Sequence, residues 1–165
     1  SIKGDIKVDK VLGSRSYYSQ ISDSSIIEKG DEFKFEANDR NLTYKSIGQK
    51  FKLNKNIKVF RGPEYNCLNK ESINKLKNQE FSIGINNRMA YNLKEKIEAG
   101  VNSIISSGVI PGTVQLTPSG QIIILHRDCQ TTGGYPRILQ LAEKSLNNLA
   151  QLRTGDKIKF EIVSL

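Results

Sequence analysis

The sequence predicts a mainly β protein, a barrel with one or two helices covering an open end. Three observations carry that expectation. Strand-like runs outnumber helix-like ones, most of them alternate apolar and polar residues, and short turns rich in Gly and Pro separate them.

"GDEFKFE" (30–36) alternates Phe33 and Phe35 with charge, as a half-buried strand does. "NIKVFRGPE" (56–64) puts Ile57 and Val59 on one face and stops at Gly62-Pro63. "ESINKLKNQ" (71–79) sets Ile73 and Leu76 three apart, which suits a short helix. "EFSIGIN" (80–86) returns to a period of two through Phe81, Ile83 and Ile85, and "MAYNLKE" (89–95) reads as another strand. "GTVQLTPSGQIIILHRD" (112–128) is the clearest hairpin, with Pro118 and Gly120 at its turn. "YPRILQLAEKSLNNLAQL" (135–152) is expected to be the only long helix, with Ile138, Leu141, Ala142, Leu149 and Leu152 as its apolar stripe. "GDKIKFEIV" (155–163) closes the chain with a strand, while "SQISDSS" (19–25) and "EANDRN" (36–41) read as mobile loops.

At 165 residues the chain fits one domain, 1–165, large enough to bury a real core. No apolar run approaches the ~20 residues needed to span a bilayer. The start, "SIKGDIKVDK", lacks the apolar stretch of a signal peptide. Cys67 and Cys129 lie far apart without CxxC spacing, so both read as free thiols in a reducing, cytoplasmic setting, and no metal site is expected. The net charge of +8 is spread over scattered lysines interleaved with Asn, Ile and Ser. It reads as a solvated surface, with neither nucleic acid nor membrane as a partner.

The most informative stretch is "HRDCQTTGGYPRI" (126–138). Pro136 suits the first turn of the expected helix, which would put Thr131–Tyr135 at a helix N-terminus able to seat a carboxylate or phosphate. Gly133 and Gly134 would let a ligand approach the backbone, with Arg127 and Arg137 flanking; alternatively, the segment is only a turn with a helix cap. No GxxxxGK[ST] phosphate loop occurs. His126, the one histidine, follows "IIIL" and points either into the core or toward the loop. Asp128 is an acid–base candidate or a turn-stabilising carboxylate. Arg88, in "NNRMAY" (86–91), either clamps a carboxylate or pairs with Glu95. Arg15, among the hydroxyls of "GSRSYY" (13–18), is similarly open.

Taken in order, "VLGSRSYY" (11–18), "VFRGPE" (59–64), "NNRMAYNL" (86–93), "SSGVIPGTVQLTPSGQIIIL" (106–125), "DCQTTGGYPRI" (128–138) and "LAQLRTGDKIKF" (149–160) resemble the biotin-dependent carboxyltransferase family. That family is also called allophanate hydrolase subunit 2, and it includes the C subunit of the bacterial 5-oxoprolinase and KipA-like regulators of a sporulation kinase. The resemblance covers nearly the whole chain. It implies a cyclophilin-like β-barrel and an allophanate hydrolase subunit 1-like (KipI-like) partner. In the 5-oxoprolinase version a third subunit joins them, and the complex opens 5-oxoproline to glutamate using ATP. In the urea carboxylase version, related domains move a carboxyl group from carboxybiotin to urea. Biotin would have to arrive on another protein, since Met89 is the only methionine and no biotinyl-lysine context is present. Members are about twice this length, and this chain looks like the C-terminal half.

Residue by residue, Arg15 and Ser16 match the family's "GSRS". Arg88 and Met89 match its "DRM", with Asn87 in place of the acid. Gln115, Gln130, Thr131, Thr132, Gly133, Gly134, Tyr135 and Pro136 match the core motif, and Cys129 stands where an arginine is usual. The expected set is therefore Asp128 and Arg88 as catalytic residues, with Arg15, Ser16, Gln115, Arg127 and Gln130–Tyr135 binding substrate. Two functions follow from the resemblance: a piece of an ATP-dependent amide hydrolase complex, silent when isolated, or a regulatory module that binds its partner to control a kinase.

Overall fold

The computed structural model describes residues 4–6, 9–15, 17, 21, 28–37 and 54–164. The chain forms two compact units, Ser1–Gln49 and Lys50–Leu165.

In the first unit, β1 (Gly4–Ile6) pairs antiparallel with β2 (Phe35–Ala37). The strand expected over 30–36 is thus shorter and later. Gly30 takes a left-handed φ of 110°, and Asp31 closes a turn by accepting from the Glu28 N–H at 2.8 Å. "VLGS" forms a tight turn in which Val11 bridges Ser14 and both central residues, Leu12 (φ 51°) and Gly13 (φ 79°), are left-handed. Arg15 follows it, exposed. Ser16 and most of the expected loops 19–25 and 36–41 lie outside the described residues.

The second unit is a closed seven-stranded barrel, which agrees with the mainly β expectation. Its strands are β3 (Asn56–Arg61), β4 (Phe81–Asn86), β5 (Ala90–Lys96), β7 (Thr113–Leu116), β8 (Gln121–Leu125), β10 (Arg137–Leu141) and β11 (Lys157–Ile162). They close in the order β10-β3-β11-β4-β5-β8-β7. Only the β3–β11 pair of the barrel is parallel. Closure leaves none of these strands with an unpaired edge. The alternating residues fill the interior: Ile57, Val59, Phe81, Ile83, Val114, Leu116, Ile122, Ile124, Ile158 and Phe160 are all buried in one cluster.

Helix α1 (Lys70–Asn78) covers β11. The Asn69 side chain caps it by accepting from the Ser72 N–H at 2.8 Å, and Leu76 is its buried anchor. Helix α2 (Glu143–Leu149) lies against β3 and turns Leu146 and Leu149 inward. Its buried Ser145 accepts from the Lys58 N–H at 2.8 Å.

The long helix expected over 135–152 is not there. Its first part is strand β10, and only the seven residues of α2 are helical. A β-bulge between Arg137 and Leu139 turns the neighbours Ile138 and Leu139 both inward, which breaks the two-residue alternation and mimics a helical stripe. Pro136 precedes a strand, where its missing N–H is also tolerated. The 131–135 segment therefore does not sit at a helix N-terminus, and the anion seat built on helix N–H groups falls with it. Among the described residues, no helix is long and apolar enough to cross a membrane. Both cysteines are free.

Candidate functional site

Two turns meet at one end of the barrel. The first joins β4 to β5 through Asn87, Arg88 and Met89. The Asn87 side-chain carbonyl accepts from the N–H groups of Met89 (2.8 Å) and Ala90 (3.0 Å). That turn needs an acceptor at 87 and no charge, so asparagine serves where the resembled family has an acid. The second turn, His126–Cys129, follows β8 and closes with the Cys129 N–H donating to the His126 carbonyl at 3.1 Å. Backbone bonds join the two turns: His126 N–H donates to the Met89 carbonyl (2.8 Å) and Asp128 N–H to that of Arg88 (2.9 Å).

Across this seam Arg88 grips Asp128 with two bonds, Nε to Oδ2 at 2.5 Å and Nη2 to Oδ1 at 3.0 Å. Arg88 is thus paired with Asp128; Glu95 instead accepts from the backbone and hydroxyl of Ser82. The guanidinium holds the Asp128 carboxyl below its ordinary range, and Asp128 raises Arg88 in return. Both are exposed. A carboxylate held charged in this way is a weak base and is suited to orienting a neighbour.

From Asp128 the chain runs as a strip over the outer side of β7. β9 (Thr132–Gly133) pairs with β6 (Ser107–Gly108) to form a two-stranded platform. Backbone carbonyls strap the strip down: Thr131 accepts from Val109 (3.0 Å), Gly134 from Ile104 (2.9 Å) and Pro136 from Leu116 (3.0 Å). Gln115 points out of the barrel beneath it, fully buried, and donates from Nε2 to the Tyr135 carbonyl at 3.3 Å. Gln130, Thr131, Thr132 and Tyr135 are exposed.

The structure thus gathers Arg88, Asp128 and Gln130–Tyr135 along one continuous edge, with Gln115 beneath. Arg127 does not join them. Its guanidinium turns to α2, where it meets Glu143 (2.5 Å) and Asn147 (3.1 Å). Arg15 belongs to the first unit, where it is exposed. Cys129 is half-buried at the start of the strip, and that burial pushes its thiol up.

Sequence reasoning missed Glu64. It accepts from the Arg137 N–H (2.9 Å), Nε (2.9 Å) and Nη2 (2.6 Å), while Arg137 Nη1 reaches the Gly108 carbonyl at 3.0 Å. This partly buried pair ties the bulged start of β10 to β6, and so fixes the platform under the strip. The Arg137 side-chain bond pulls the Glu64 carboxyl below its ordinary range. The only sequence signal was the Gly-Pro-Glu turn ending β3. Among the described residues, no three His, Cys, Asp or Glu side chains gather as a metal site.

The closed barrel with its short strap is a fold shared with known proteins. The likeness extends to solved structures: the Kluyveromyces lactis urea carboxylase superposes with a TM-score of 0.70 at 22% identity, covering 99% of this chain and 17% of that one. Residues 1–162 match the family model "Carboxyltransferase domain, subdomain A and B", and the chain belongs to that family. Among curated relatives it is 30% identical to the C subunit of Escherichia coli 5-oxoprolinase, over 100% of this chain and 56% of that protein. It is 38% identical to the C subunit of Haemophilus influenzae 5-oxoprolinase, over 66% of this chain and 36% of that protein. The chain spans about half the length, or less, of the relatives it matches.

Proposed function

We propose that this chain is part of a 5-oxoprolinase-type subunit, a component of a cytoplasmic complex that opens 5-oxoproline to glutamate with ATP. The observation that carries this reading is the 30% identity, along the whole chain, to the C subunit of a 5-oxoprolinase. The exposed edge suits the substrate. 5-Oxoproline offers a carboxylate and a lactam amide. Arg88 spends Nε and Nη2 on Asp128, so its outer Nη1 is left to take the carboxylate. Gln130 and the hydroxyls of Thr131 and Thr132 offer donors and acceptors to the amide. Asp128 aims Arg88.

A triphosphate fits these residues poorly. Arg127 is engaged by Glu143 and Arg137 by Glu64, which leaves only the outer edge of Arg88 as an uncommitted cation on the strip. In this reading ATP binds elsewhere in the complex, on the subunit 1-like partner or the third subunit.

A second reading, carboxyl transfer, is favoured by the description of the matching family itself. Biotin would then come on a partner. The test is to co-purify the full-length native protein with its partners and assay 5-oxoproline opening with and without avidin. Avidin-insensitive, ATP-dependent glutamate formation supports the hydrolase reading. Absence of turnover, with avidin-sensitive carboxyl transfer, would replace it with the second.

A further inference from the structure

His126 is the least accounted-for polar group in the barrel. Its side chain is only 9% exposed, and neither ring nitrogen has a hydrogen-bond partner among the described residues. A neutral imidazole buried without partners costs free energy, and a charged one costs far more. The ring packs against the buried Tyr91 ring of β5, centroids 5.3 Å apart. The charged groups around it give a proton no welcome. Arg88 on the β4–β5 turn and Arg127 beside it are cations, and Asp128, the one carboxylate, is already held by Arg88. Tyr91 and Cys129 are the other titratable neighbours, and burial pushes both up, so they stay neutral.

The position of His126 makes this consequential. Its own N–H makes one of the two backbone bonds that join the turns, and the strip begins two residues later at Asp128. We propose that His126 is an acid-sensitive latch: neutral, it holds the 126–129 turn against the β4–β5 turn; protonated, it leaves its pocket and frees the start of the strip. An imidazolium inside would be a third cation beside Arg88 and Arg127; the Arg88 backbone and the Asp128 carboxylate favour it, but burial and Arg127 outweigh them, and moving to water relieves both costs. Burial, and then Arg127, hold the folded histidine below its ordinary range. The closed form is therefore at full strength above the ordinary histidine value of about 6.5 and weakens as pH falls from there through the lowered folded value. The latch belongs to the barrel and holds whichever substrate the strip takes.

The chain has a single histidine, so the imidazole signal of the tag-free protein is unambiguous in an NMR titration. The expected midpoint lies below that of a free histidine peptide. The amides of His126 and Asp128 should exchange with solvent faster through the same midpoint, because their acceptors are on the opposing turn. His126→Phe should abolish that transition. Should that variant not fold, Asp128→Asn serves: it should keep the histidine transition and remove only the carboxylate one at lower pH. A midpoint at or above the peptide value would overturn the latch. So would amide exchange at 126 and 128 that does not change through the histidine midpoint, or that changes equally in His126→Phe.

Discussion

The side-chain amide of Gln115 occupies the space that a Cβ on Gly133 would need: Nε2 lies 2.5 Å from that position. Gly133 is a glycine because a buried side chain of the barrel's own wall lies against its backbone. The close approach expected for a ligand is made from within. Gly134 differs, since its nearest neighbour, the Ile104 carbonyl, would stand 3.5 Å from a Cβ, an ordinary contact. Neither glycine takes a positive φ.

Substitution should separate the two. Gly133→Ala must push Gln115 off the Tyr135 carbonyl and should cost about 1–3 kcal/mol in denaturant unfolding. Adding Gln115→Ala should recover part of that loss, a coupling on the order of 1 kcal/mol. Gly134→Ala should stay within about 0.5 kcal/mol of the parent. Equal losses at both glycines would mean that backbone conformation, and not the Gln115 contact, requires them.

Glu64→Gln should lower stability by about 1–3 kcal/mol, because three bonds to Arg137 converge on one partly buried carboxylate. Its pH dependence has a definite sign. The folded Glu64 carboxyl is held below its ordinary range by Arg137. Its stabilisation is fully present above the ordinary glutamate value of about 4.3 and is lost as pH falls through the lowered folded value. The gap in melting temperature between parent and variant should therefore close in acid. A gap that persists there would assign the loss to packing.

Much of the barrel was legible. Ile57 with Val59, Phe81 with Ile83, and Val114 with Leu116 alternate cleanly, and a half-buried strand has no other way to use that spacing. β10 was not legible, because a bulge puts Ile138 and Leu139 on the same side and the eye reads a helix. Misreading it placed Thr131–Tyr135 at a helix end. The site residues from Asp128 to Tyr135 were visible because they are contiguous in sequence. The pairings that hold them, Arg88 with Asp128, Glu64 with Arg137 and Gln115 with Gly133, join residues far apart in sequence. No local pattern encodes such pairs.

Arg88→Gln should return the Asp128 carboxyl toward its ordinary range in a carbon-detected NMR titration, since the Arg88 side-chain bond is the main cause of its depression. Stability should change little, because both partners face solvent. An unmoved Asp128 midpoint would show that the backbone seam, and not the guanidinium, sets its charge.

In the proposed function, the edge from Arg88 through Asp128 to Thr132 serves a 5-oxoproline-opening complex. The most direct measurement is ATP-dependent glutamate formation by the full-length protein purified with its partners. Parent, Arg88→Ala, Asp128→Asn and the Thr131→Ala/Thr132→Ala pair should be compared after each is shown to assemble. Turnover is predicted in the parent complex and none from the 165-residue chain alone. Each variant complex should lose tenfold or more, about 1.4 kcal/mol or more of transition-state stabilisation. Full activity in all three variant complexes, or robust turnover by the isolated chain, would contradict the claim.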